Sequence, residues 1–357
     1  MVSAGLGRDG GGRAAAGRLI AEGIARYVET RGLGFDVLSL GAPSEPRFTE
    51  STRHFAGSRA GLAAAALAAQ GPETALVFDL LGLSRIEAPL PKALRPRYLI
   101  CLFGIEVWRP LSWAHRRALH GASLLAAISR HTLERAAPYT GPLPQARLLP
   151  LTLEAEPQAA NELAGLPPGY LLMVGRMAAS ERYKGHDLML EALPAVIRSA
   201  PETRVVLAGD GDDRPRLESR ARDLGLSSHV TFTGFVADSA MRSLYRNAAI
   251  FVLPSTGEGF GLVYLEAMRE GVPCVAARGS VAEEVFASDG NGVLVSPTDP
   301  AELATTLVGL LANAEQRRRI GEAGRARFEA EYTRDRFRHH LGSVLDELIG
   351  RAPVEAA

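Results

Sequence analysis

The chain has 357 residues, about two domains at ~150 residues each. Its 40 Lys and Arg balance 40 Asp and Glu to a formal net charge of zero, with 46% hydrophobic and 22% charged residues. That mix excludes disorder and repetitive fibres, and the zero balance excludes a protein that grips nucleic acid by bulk charge. Glycine, at 37 residues, is the count that composition alone leaves unexplained.

Apolar runs at 35–40, 75–78, 98–103 and 124–128 read as strands, with helical patterns such as 13–30 and 111–120 between some of them. The pattern breaks into Pro, Glu, Ala and Gly near 151–168, which reads as a linker. Beyond it, strands are predicted at 170–174, 203–207, 230–232, 250–254, 274–277 and 292–295. Helices are predicted at 184–199, 213–224, 239–247 and 262–270, and three more, at 300–313, 314–332 and 333–349, close the chain. Strands alternating with helices imply βαβ units and parallel sheets, because parallel neighbours need a crossover. The expected fold class is therefore α/β, with two Rossmann-like domains over 1–160 and 161–332 and a last helix, 333–350, packing back on the first.

Cys101 and Cys274 each sit inside an apolar run and read as buried core residues, which suits a reducing cytoplasm. No run reaches the ~20 apolar residues of a spanning helix, and the start lacks a charged-then-apolar leader. The expected location is cytoplasmic. His54, His115, His120, His131, His339 and His340 show no metal-ligand spacing.

In open α/β sheets ligands bind beyond the carboxyl ends of strands, where loops meet helix N-termini. Three glycine loops fall there. Gly10-Gly11-Gly12 precedes the first helix and offers backbone N–H groups to an anion, although such loops also serve plain turns. Gly209-Asp210-Gly211 follows the strand at 203–207. The letters Asp210-Gly211-Asp212 suggest a metal–diphosphate site, but a turn with a capping acid explains them as well, and no metal is expected. The third loop, Glu258-Gly259-Phe260-Gly261, joins a strand to a helix and places Glu266 about one turn inside it. Phosphate would face the N–H groups, while carboxylates suit sugar and ribose hydroxyls. Arg176, after the strand at 170–174, and Lys184, eight residues on, supply cations for a diphosphate.

These residues resemble a known family. Glu258-Gly259-Phe260-Gly261-Leu262-Val263-Tyr264-Leu265-Glu266 is similar to the Glu-x7-Glu motif of retaining glycosyltransferases of the GT-B fold, glycosyltransferase family 4. Gly175-Arg176 with Lys184-Gly185 is similar to that family's second motif. The resemblance is strong over 170–332 and mostly architectural over 1–150. It implies parallel sheets facing across an interdomain cleft, a nucleotide-diphosphate sugar held mainly by the second domain, and no cofactor. It further implies that Arg176 and Lys184 bind the diphosphate and act in catalysis, and that Gly175, Gly209, Phe260, Gly261 and Leu262 line the donor. Glu258 would hold sugar hydroxyls, Glu266 the ribose, and Gly11 and Gly12 would approach the phosphates. The implied reaction moves a hexose-type sugar, with retained configuration, to a glycan or lipid-linked acceptor in polysaccharide or cell-envelope synthesis. The leaving diphosphate would help to deprotonate that acceptor, and peripheral contact with the inner membrane face would be compatible.

Two features depart from the family. Phe103 stands where many members carry a histidine, and it can neither donate a proton nor accept one. Glu106 and Trp108 are the acceptor-side candidates beside it, with Trp108 and Trp113 as alternatives of sugar stacking or core packing. Also, only 2–4 precede the first glycine loop, where a strand of about five apolar residues is usual. The recorded chain is expected to begin inside its first strand. A nucleotide-sugar epimerase, a sugar phosphorylase or a non-catalytic nucleotide-sugar binder remains the alternative. Gly5-x-Gly7-x-x-Gly10 spells a dinucleotide-binding pattern, but the strand before it is short.

Overall fold

Near-continuous apolar segments build the strands, as in parallel sheets covered on both faces. The computed structural model describes residues 1–7, 11–42, 48–155, 166–286 and 290–350. The chain divides into two compact units, Met1–Glu154 with Thr333–Ala357, and Ala155–Tyr332.

The first unit runs β1 (Val2–Ser3), α1 (Gly11–Glu29), β2 (Leu38–Ser39), β3 (Arg53–His54), α2 (Arg59–Ala68), β4 (Ala75–Phe78), β5 (Arg97–Leu102), α3 (Trp113–Gly121), β6 (Leu124–Ala127), α4 (Arg130–Thr140) and β7 (Ala146–Leu148). Its sheet has the order β3-β2-β1-β4-β5-β6-β7, with every pairing parallel. Ser58, Ser112 and Ser129 cap α2, α3 and α4 by accepting from backbone N–H groups two or three residues into each helix, which satisfies donors the helix itself cannot. Phe78 and Tyr98 meet edge to face at 5.9 Å in the core.

The second unit continues with β8 (Tyr170–Val174), α5 (His186–Ser199), β9 (Val205–Ala208), α6 (Arg214–Asp223), β10 (Val230–Gly234), α7 (Asp238–Arg246), β11 (Ala248–Leu253), α8 (Leu262–Arg269), β12 (Cys274–Ala277), α9 (Ala282–Phe286), β13 (Val293–Val295), α10 (Pro300–Ala312) and α11 (Ala314–Glu331). Its parallel sheet has the order β10-β9-β8-β11-β12-β13. The strand order reverses between β8 and β11. Loops leaving these neighbours diverge, and the crevice between them is where such sheets hold ligands.

The chain then returns to the first unit as α12 (Arg334–Ile349), capped by Thr333. Tyr27 donates to Asp346 Oδ1 at 2.6 Å, and Arg334 pairs with Glu22. A Cβ on Gly23 would lie 2.4 Å from Leu341 Cδ2, so glycine sets the close approach of α1 and α12.

Several elements differ from the sequence expectation. The strand expected at 35–40 pairs only over Leu38–Ser39, and the helix expected from Lys184 begins at His186. The edge strands β3 and β7 and the helices α2, α4 and α9 were not expected. Gly10, most of the expected linker and the boundary at 160/161 lie outside the described residues. Cys101 and Cys274 are buried free thiols, and burial pushes both above their ordinary range. No helix among the described residues is long and apolar enough to cross a membrane.

Candidate functional site

The loops after β8 and β11 bring the sequence candidates of the second unit together. After β8 the chain passes Gly175 and Arg176 and forms a 3-10 segment, Ala179–Lys184, that ends at Gly185 with φ +88°. A side chain at Gly185 would strike Pro254 at the end of β11, with its Cβ 2.7 Å from the ring and 3.0 Å from the carbonyl oxygen. This left-handed glycine turns the chain into α5 and leaves Lys184 on the segment before the helix. Lys184 Nζ then donates to Glu258 Oε1 at 2.7 Å, joining the two loops.

Each loop is fixed from below. Gly175 N donates to Ala208 O, and a Cβ on Gly209 would sit 2.0 Å from Gly175 O, so only glycine permits the two turns to touch. Arg182 donates to both oxygens of Asp213 at 3.1 and 2.8 Å, and Arg216 engages Asp213 and Asp187. Hydrogen bonds from Arg216 and then Arg182 hold the Asp213 carboxyl well below the usual carboxylate range. On the β11 side, Thr256 N donates to Tyr183 O, and the Tyr183 ring covers Gly257. Burial, reinforced by the carboxylates of Glu181 and Glu258, pushes the Tyr183 hydroxyl up to about 12.

The Asp210-Gly211-Asp212 stretch is structural. Asp210 Oδ1 accepts from Gly211 N and Asp212 Oδ1 from Ala179 N, both at 2.8 Å, and Arg214 lies 3.8 Å from Asp210. Both carboxylates therefore hold backbone. Among the described residues no group of three or more His, Cys, Asp or Glu is arranged to hold a metal ion.

Gly261 opens α8 at φ +82°, where an added Cβ would meet the Tyr264 ring at 2.4 Å, and no side chain caps this helix start. Its first N–H groups, from Leu262 onward, are the donors that an anion at a helix N-terminus uses. Phe260 is buried and meets Tyr332 edge to face at 5.9 Å. Glu266, in the second turn of α8, accepts from the Tyr245 hydroxyl at 2.6 Å.

Electrostatics at the β8 loop are denser than the motif suggests. Glu181 places one oxygen 3.4 Å from Arg176 and the other 3.7 Å from Lys184. Sequence reasoning missed Glu181, Tyr183, Tyr245 and Ser255, whose hydroxyl donates to Glu258 Oε1 at 3.2 Å. The first two lie in view between Arg176 and Lys184, but no spacing rule marks them.

In the first unit Gly11 and Gly12 begin α1 and are exposed, with φ +64° at Gly11. Beside them, Ser3 donates to the buried Asp79 at 2.5 Å, and Ala4 N donates to it at 2.9 Å. Burial raises the Asp79 carboxyl above its ordinary range. Phe103, Glu106 and Trp108 share the turn after β5. Glu106 Oε1 accepts from Phe103 N at 2.5 Å, so this acid closes the turn, and burial raises its carboxyl against those hydrogen bonds. Trp108 donates to Thr132 O at 3.2 Å, carries the Arg135 guanidinium 4.3 Å above its ring and backs on Gly104.

Residues 156–327 match the protein family described as glycosyl transferases group 1. The GDP-mannose-dependent alpha-(1-6)-phosphatidylinositol monomannoside mannosyltransferase of Mycolicibacterium smegmatis is 30% identical over 230 residues, covering 59% of this chain and 59% of that enzyme. The chain thus covers less than two thirds of that relative's length. Sucrose-phosphate synthase from Thermosynechococcus elongatus superposes with a TM-score of 0.77 at 20% identity, covering 98% of each chain. HepE of Anabaena, solved with UDP-glucose, gives 0.76 at 19% identity over 97% of this chain and 98% of that one. At such identities the likeness is one of fold, and that fold is GT-B.

Proposed function

We propose, on the premise that residues 156–327 match the glycosyl transferases group 1 family, that the chain is a retaining hexosyltransferase using a nucleotide-diphosphate sugar. The observation that supports the reading is the Lys184–Glu258 contact of 2.7 Å, which brings a cation and a carboxylate together at the strand-order reversal. Arg176 and Lys184 take the two phosphates, and the uncapped start of α8 adds backbone donors. As the bond to the leaving diphosphate breaks, charge grows on its oxygens, and cations already in place favour that state over the ground state. Glu258 orients donor-sugar hydroxyls. Glu266, steadied by Tyr245, takes the ribose. In this reading the diphosphate oxygen itself receives the acceptor proton, while Glu258 stays engaged by Lys184.

We assign the acceptor to the glycan or lipid-linked class, within polysaccharide or cell-envelope synthesis at the inner membrane face. In support, the mycobacterial relative is named for transfer to a phosphatidylinositol mannoside. Gly11, Gly12, Phe103, Glu106 and Trp108 are the first unit's contributions in this reading. The family test is a panel of nucleotide sugars scored by thermal stability, since a ligand that binds only the folded state raises it. One UDP- or GDP-sugar raising the melting temperature fits the proposal. A flat response across the whole panel contradicts it.

A further inference from the structure

Four charged side chains alternate along the edge of this site. Arg176 NH1 lies 3.4 Å from Glu181 Oε1, Glu181 Oε2 lies 3.7 Å from Lys184 Nζ, and Lys184 Nζ lies 2.7 Å from Glu258 Oε1. Two cations and two carboxylates sum to zero, so the proposed diphosphate clamp carries no net positive charge. Glu258 has a reason to be there under the reading above, as a partner for sugar hydroxyls. Glu181 has none. It accepts no side-chain hydrogen bond from either cation, only their charge at ion-pair distance.

Its placement is nevertheless fixed by the backbone. Ala179 N is bonded to Asp212, Arg182 to Asp213, and Tyr183 O to Thr256 N. Glu181 itself sits at the kink of the segment, at φ −119° and ψ 26°. With the segment held in this way, the Glu181 carboxylate stays tethered within reach of both cations. Lys184, Glu181 and Glu258 side chains are only 13%, 20% and 18% exposed, so solvent screens their mutual interactions weakly, whereas Arg176, at 56%, is open to salt.

We propose that Glu181 is a built-in counter-anion that weakens the grip on the diphosphate, and so sets the rate at which the nucleoside diphosphate leaves after transfer. The inference rests on the nucleotide-sugar reading above. A carboxylate beside two cations repels the incoming phosphates and the departing product alike. Binding both equally tightly would slow turnover without helping chemistry, so a weaker uniform grip favours the cycle. Lys184 does not depend on Glu181 for its position. It keeps its hydrogen bond to Glu258, and its stem lies against Gly175, 3.1 Å from where a Cβ there would stand.

The test titrates UDP and GDP into the full chain and into Glu181→Gln by calorimetry, at low and high salt. Glu181→Ser is a second charge-removing variant, and thermal unfolding shows that each is folded. Removing one like charge at this range is expected to tighten nucleoside-diphosphate binding about tenfold at low salt, about 1.4 kcal/mol, with the gap narrowing as salt rises. Release of the product slows by a similar factor. If the parent binds UDP or GDP and both variants bind it equally or more weakly, Glu181 is a positioning residue and the inference fails, while the nucleotide-sugar reading stands. If the parent binds neither, that reading fails and takes the inference with it.

Discussion

Lys184 and Glu258, 74 residues apart, meet at 2.7 Å because β8 and β11 are neighbours in the sheet while their crossovers leave in opposite directions. In the proposed reading this contact joins the diphosphate cation to the sugar-binding carboxylate. Lys184→Ala is expected to weaken nucleoside-diphosphate binding and to leave Glu258 partly buried without its cation. In the proposed reaction that lysine faces charge that grows during bond breaking, so the loss in kcat is expected to be about 10²–10³-fold. Titration beside single-turnover kinetics separates the two effects.

Gly209→Ala is expected to lower the melting temperature strongly. The new Cβ would stand 2.0 Å from Gly175 O at a backbone φ of +137°, and neither backbone can yield cheaply. A cost of about 2 kcal/mol or more follows from strain of this kind. Gly12→Ala is the contrast. It meets nothing within 4 Å inside α1, so stability is expected to hold or rise by about 0.5–1 kcal/mol.

Asp213→Asn removes a carboxylate held low by Arg216 and Arg182. A depressed folded-state value means that its stabilisation is present above the ordinary carboxylate range and is lost as pH falls through it. The variant is therefore expected to be less stable than the parent at pH 7, with the difference shrinking in acid. Its donor KM should rise more than its kcat falls, because Arg182 anchors the segment that carries Lys184. Thermal unfolding against pH and steady-state kinetics check both.

Burial pulls the His186 imidazole down to about 4 and pushes the Glu87 carboxyl up to about 7. The signs are opposite. The His186 contribution is lost as pH falls from about 6.5 to about 4, since only the unfolded chain gains a proton there. The Glu87 contribution is lost as pH rises from about 4.5 to about 7, since only the unfolded chain gives one up. Glu87→Gln is expected to improve stability relative to the parent above pH 7, and His186→Asn below pH 5. Melting curves across pH 4–8 read out both.

Much of this architecture is visible in the residue pattern, and the misses have physical causes. Strands such as β5, β8 and β12 are apolar on both faces and stand out as runs. The edge strands β3 and β7 are two and three residues long, with Arg53, His54 and Arg147 among them, so no run marks them. Helix α4 carries Pro138 inside it, a residue that ordinarily argues for an end. The sequence pattern predicts a helix from Lys184, whereas the left-handed backbone of Gly185 separates a 3-10 segment from α5. The motif residues of the site were legible because short spacings carried them. Tyr245 beside Glu266 was not, since it depends on α7 packing against α8, and Glu181 sits inside the motif without belonging to its pattern.

The central claim is sugar transfer from a nucleotide-diphosphate donor bound at the Lys184–Glu258 junction. Its most direct measurement follows label from the donor that stabilises the protein to an acceptor, in the parent, in Lys184→Ala and in Glu258→Ala. The account predicts transfer with the donor's anomeric configuration in the parent and a loss of at least about 100-fold in each variant, with each variant still folded by thermal unfolding. Transfer that is undiminished in both variants would contradict it.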